Sequence, residues 1–137
     1  MTTAVDANIL LDVLAGSLIE AQRADAALVA AKKAGGLCVS TICYAEVSRN
    51  FASVRDADEF FDSLSCRIDR IEREGAFLAG RFYEAYRQRG GKRDRILSDF
   101  LIAAHAQLNA DRILTRDDRF FGSNFPRLKA IRPQDLG

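Results

Sequence analysis

Short apolar runs alternate with longer stretches of helical periodicity along almost the whole chain, and this alternation restricts the possible folds more than any other feature. The candidate strands, not all of them apolar throughout, are residues 3–5, "LCVS" at 37–40, "RIDRI" at 67–71, "DRILT" at 111–115 and "LKAIRP" at 128–133. Helical segments are expected at 7–15, where Leu10, Leu11 and Leu14 recur at one-turn spacing, and at 20–34, rich in alanine and stopped by Gly35 and Gly36. Further helices are expected at 41–52, 56–65, 74–88 and 98–110. Short strands separated by helices form βαβ units, whose right-handed crossovers build a parallel sheet with helices on both faces. The expected class is α/β, a three-layer α/β/α sandwich around a small, mostly parallel sheet of four or five strands. At 137 residues and 48% hydrophobic composition, one domain spanning 1–137 can bury a substantial core.

Composition narrows the setting but not the function. Twenty basic against 19 acidic residues give a net charge of +1, which argues neither for nor against a nucleic-acid partner. The three cysteines, Cys38, Cys43 and Cys66, are odd in number and lack Cys-x-x-Cys spacing, so they suggest buried thiols in a reducing compartment rather than a disulfide framework or zinc site. No basic segment followed by a long apolar one opens the chain, and no apolar run approaches membrane-spanning length. The expectation is a cytoplasmic protein with no membrane partner.

The stretch "VDANIL" places Asp6 and Asn8 where an apolar strand passes into an apolar helix. In parallel α/β sheets, ligands bind in the crevice at the carboxyl ends of the strands, near the point where strand order reverses. That rule puts both polar groups at a ligand site. Other acids occupy similar edges: Glu46 in "TICYAEVS", Asp99 in "ILSDFLIAAHA", and Asp117 and Asp118 after Thr115 in "ILTRDD". Each acid alone has an ordinary reading. Asp6 would cap the first helix, Glu46 would pair with Arg49 or Asn50, Asp99 would favour a helix dipole behind a Ser98 cap, and the aspartate pair would form a turn.

Taken in order, "VDANIL", the helical glutamate of "YAEVS", "LSDFLIAAHA", "LTRDDRFF" and "NFPRLKAI" resemble the PIN-domain ribonucleases, and within them the VapC-like toxins of bacterial toxin–antitoxin pairs. The resemblance runs from residue 5 to about residue 133. It implies an acidic centre of Asp6, Glu46, Asp99 and Asp117, serving as both metal ligands and catalytic residues, with Asn8 and Thr115 in support. Asp117 rather than its neighbour Asp118 matches the Thr-x-Asp pattern. A first strand at the centre of the sheet, an RNA substrate, a cognate antitoxin from a neighbouring gene and a homodimer are the corresponding expectations.

Elementary electrostatics points the same way. Two carboxylates about 5 Å apart repel by roughly 3 kcal/mol at an effective dielectric near 20. Gathering four of them calls for a cation or for protons. A donor set of oxygens alone suits Mg²⁺ or Mn²⁺ rather than zinc. His105 lies six residues beyond Asp99, about 240° around the helix, and is expected to pack away from the acids. For RNA phosphates the candidates are Arg116 and Arg119 beside Asp117, and Lys92 and Arg93 within the basic tract "RQRGGKRDR". Ile42, Phe51, Phe60, Phe61 and Leu64 are either core or part of a partner groove. A haloacid-dehalogenase-like phosphohydrolase needs a second aspartate where Asn8 stands, and a receiver domain needs an acid after a middle strand, where the chain instead has Glu46 in a helix. A PIN-like module that binds RNA or protein without catalysis is the alternative from another class.

Overall fold

The computed structural model describes residues 1–92 and 95–137, so Arg93 of the basic tract lies outside the described residues. Five strands, β1 (Thr3–Val5), β2 (Leu37–Ser40), β3 (Cys66–Asp69), β4 (Arg112–Leu114) and β5 (Ala130–Ile131), form one sheet in the order β3-β2-β1-β4-β5. Every neighbouring pair is parallel, and β1 is central, as expected. The helices are α1 (Ala7–Ala15), α2 (Leu18–Ala34), α3 (Thr41–Ser48), α4 (Val54–Ser63), α5 (Arg73–Gln88), α6 (Leu97–Asn109) and α7 (Asp118–Asn124).

Alternation along the strands sorts the core into two halves. Val5, Leu37, Val39, Cys66 and Leu114 face a layer with Ala24, Ala27, Leu28 and Ala31 of α2 and Ile9 and Leu10 of α1. On the opposite face, Ala4, Cys38 and Ile113 meet α6 and α5 through Phe100, Ala103 and Ala79. Both faces are therefore covered, as a parallel sheet requires.

Local chemistry accounts for where the elements begin and end. Ser17 and Glu20 form a reciprocal capping box that starts α2 two residues before the expected position: Glu20 N–H donates to Ser17 Oγ at 3.2 Å, and Ser17 N–H donates to Glu20 Oε1 at 3.1 Å. Ser40 caps α3 and Ser53 caps α4. The α3 helix stops at Ser48 rather than at residue 52, with the Asn50 amide donating to the Val47 carbonyl at 3.0 Å. A left-handed Gly90, with φ of 81°, follows α5. A Cβ at Gly35 would collide with the Met1 carbonyl, so the bare glycine lets the N-terminal backbone cross there. The sequence reading missed α7, whose seven residues include Gly122, Ser123 and Asn124. Burial of Phe120 and Phe121 holds this helix against the sheet despite its poor propensity. No helix among the described residues is long and apolar enough to cross a membrane.

Candidate active site

Sheet order reverses between β1 and β4, which places Asp6 and Thr115, the residues following each strand, side by side at the switch-point crevice. Asp6 N–H donates to the Leu114 carbonyl at 3.0 Å, locking the two strand ends together. The Asp6 carboxylate makes no side-chain cap bond to α1, so the capping reading is set aside. It accepts a 2.7 Å hydrogen bond from the Thr115 hydroxyl instead. The same hydroxyl accepts from Asp117 N–H at 2.9 Å and, more loosely, from Asn8 Nδ2 at 3.5 Å. Asn8 Oδ1 in turn accepts from Arg116 N–H at 3.3 Å. Thr115 is thus the joint between β1's acid and the loop carrying Asp117.

Asp6 is only 8% exposed, and burial pushes its carboxyl up to about 6. The Thr115 hydroxyl and Ala7 N–H oppose that shift, while Glu46 and Asp99 add to it by charge repulsion. Glu46, half-buried on α3, is also raised, first by desolvation and then by Asp99, with Arg49 opposing. Asp6, Glu46 and Asp99 therefore share one electrostatic environment although they arise from three different elements. Glu46 and Asp99 line a cleft of about 650 Å³ together with Arg49, Arg95, Leu11 and Ile42. Asp99 is not held by a Ser98 cap: α6 begins at Leu97, and Asp99 Oδ2 accepts from Ile96 N–H at 3.2 Å.

Asp117 joins the site through Thr115 and through Arg95, whose Nη1 lies 2.6 Å from Asp117 Oδ2. Arg95 also sits 4.0 Å above the centroid of the Phe120 ring. Sequence reasoning placed Arg95 in the basic tract, a candidate for gripping phosphates, and did not foresee its pairing with Asp117. Asp118 begins α7 and lies within electrostatic reach of Arg132.

Other sequence candidates have different surroundings. The Arg116 guanidinium pairs with Asp12 at 2.7 Å while its side chain stays 48% exposed. Asp12 is a buried acid that the sequence reading did not single out, although it is a lone charge in an apolar helix. Arg119 and Lys92 are exposed. Phe61 is fully buried and belongs to the core, while Ile42, Phe51, Phe60 and Leu64 are partly covered. His105 packs away from Asp99, as expected, but it bonds Asp69 rather than only apolar neighbours.

Asp6, Glu46, Asp99 and Asp117 offer oxygen donors alone, and burial with charge repulsion raises Asp6 and Glu46, a donor chemistry that fits a hard divalent cation. The Thr115→Val variant should lose about 1–3 kcal/mol of stability, because Asp117 N–H loses its acceptor and Asp6 loses a donor. Carboxyl NMR of that variant should place Asp6 above its wild-type pKa. An unchanged Asp6 titration would mean that the hydroxyl does not hold the carboxylate.

A family model described as PIN domain matches residues 3–123. A comparison with curated proteins found no match. Among solved structures, VapBC2 from Rickettsia felis, bound to a DNA fragment from its promoter, is 20% identical with a TM-score of 0.70, covering 96% of this chain and 98% of that one. A toxin–antitoxin complex from Klebsiella pneumoniae is 23% identical with a TM-score of 0.69, covering 96% and 97%. VapBC-1 from nontypeable Haemophilus influenzae is 16% identical with a TM-score of 0.70, covering 98% and 99%. At these identities the likeness is one of fold.

Proposed function

This chain belongs to the PIN domain family, and we propose that it is a metal-dependent endoribonuclease, the toxin of a toxin–antitoxin pair, acting as one nuclease domain over residues 1–137. The observation that carries this reading is the buried Asp6 at the switch-point crevice, electrostatically coupled to Glu46 and Asp99. Asp6, Glu46 and Asp99 hold Mg²⁺ or Mn²⁺, and Asp117 completes the centre. Such a cation, when bound, supplies Lewis-acid neutralisation of charge on a phosphodiester. Thr115 and Asn8 fix the positions of Asp6 and the Asp117 loop. Asp117 orients the attacking water. Arg119 and Lys92 meet flanking phosphates, with Arg116 contributing from beside Asp12.

The acidic crevice also suits a cationic side chain from an antitoxin, whose apolar segment would rest near Phe51 and Phe60. A homodimer completes the proposed assembly, and its compartment is the cytoplasm.

The test incubates the purified chain with RNA, and with DNA of the same sequence, in Mg²⁺, in Mn²⁺ and in chelator. Internal cleavage of RNA alone, stopped by chelator and reduced by roughly 10²-fold or more in Asp99→Asn, is the expected result. RNA binding without cleavage under every condition would favour the catalytically inactive module. Co-expression with the neighbouring gene should suppress cleavage and growth arrest together.

A further inference from the structure

Cys38, Asp69 and His105 come together on the face of the sheet that packs against α6. Among the described residues, theirs are the Cys, His, Asp and Glu donor atoms that gather three at a time, all within 4.8 Å of one another. They come from β2, β3 and α6, so the fold rather than a local motif assembles them. Cys38 pairs in register with Arg67, which puts the side chains of Cys38 and Asp69 on the same face. His105 Nε2 lies 2.8 Å from Asp69 Oδ2. Cys38 is fully buried and His105 is 3% exposed, whereas the Asp69 side chain keeps 17% exposure at the end of edge strand β3. The cluster is closed at Cys38 and His105 and reaches solvent at Asp69.

We propose that these three residues form a second cation site, separate from the acidic centre and selective for a thiophilic divalent ion, best matched by Zn²⁺. Thiolate, imidazole and carboxylate are the zinc donor types, and three protein ligands leave one position for water. Tetrahedral coordination at zinc bond lengths brings donors to roughly 3.3–3.8 Å from one another, so the set closes with small side-chain adjustments. The Cys38 proton leaves to solvent when the ion binds, and no electron is exchanged. Arg67 grips both carboxylate oxygens, its Nε donating to Asp69 Oδ1 at 2.6 Å and its Nη2 to Oδ2 at 3.2 Å, and so orients the carboxylate. The acidic centre has only oxygen donors, so the two sites select different ions. The ion would tie β2 and β3 to α6, about 9 Å along the helix from Asp99.

Co²⁺ is the probe, because a thiolate ligand gives it an intense charge-transfer band that an all-oxygen site does not produce. The full chain, stripped by chelator, should develop this band with about one equivalent of Co²⁺ and lose it on addition of Zn²⁺. The band should persist in Asp99→Asn and Cys66→Ser and disappear in Cys38→Ser and in His105→Gln, each checked for folding by circular dichroism. Zn²⁺ should raise the melting temperature of the wild-type chain. Absence of the band in the wild-type chain overturns the proposal and leaves a hydrogen-bonded clamp alone. So does a band that survives both Cys38→Ser and His105→Gln, or one that is lost in Asp99→Asn.

Discussion

Replacing Asp6 with Asn should stabilise the cation-free protein at pH 7.5 by about 2–3 kcal/mol while reducing RNA cleavage by roughly 10²–10³-fold or more. Both effects follow from its burial, which pushes the folded-state pKa to about 6 against roughly 3.9 in an unfolded chain. For a carboxyl raised in this way, the stability contribution is fully present below the unfolded pKa and is lost as pH rises through the folded value. Between about pH 4 and pH 6 the native state therefore loses the benefit of a neutral Asp6, and above that range it carries a buried anion. The gain from Asp6→Asn should vanish near pH 4, as urea denaturation at the two pH values would reveal. Saturating Mg²⁺ should stabilise the wild-type chain far more than the variant. Wild-type cleavage at limiting Mg²⁺ should decline below about pH 6, where protons compete for Asp6.

Phe100→Ala should cost about 3–5 kcal/mol, the usual range for emptying a buried phenylalanine site. The ring is fully buried, and its centroid lies 5.2 Å from Tyr83, 5.3 Å from Tyr86, 5.6 Å from Phe120 and 5.9 Å from Phe125. Phe100 follows Asp99 directly on α6 and joins that helix to α5 and α7, so packing and site geometry depend on the same side chain. The urea midpoint should fall with little change in slope, and stabilisation by Mg²⁺ should weaken as Asp99 loses its platform. A loss below about 1 kcal/mol would mean that the aromatic cluster repacks around the space.

Periodicity carried most of the fold because the strands are short segments set between longer stretches of helical period. The β1, α1 and β2 boundaries coincide with the expected ones. Helix ends depended on side-chain bonds that periodicity does not encode, such as the Ser17–Glu20 box and the Asn50 turn. The α7 helix was illegible because tertiary burial of two phenylalanines, not local preference, sustains it. At the site, the pattern of acids located Asp6 and Thr115 because strand ends are readable. The Arg95–Asp117 and Arg116–Asp12 pairs depend on how loops turn, and a linear sequence does not record that. Likewise, the sequence placed His105 away from the acids but could not name Asp69 as its partner, 36 residues away on another element.

Mn²⁺ binding followed by electron paramagnetic resonance tests the acidic centre most directly, because it reads the ion without requiring the right RNA. The account predicts saturable binding by the wild-type chain that is lost or weakened by at least about tenfold in Asp6→Asn and in Asp99→Asn, and is retained in Cys38→Ser. Equal Mn²⁺ affinity in the wild-type chain and in both folded aspartate variants would contradict it.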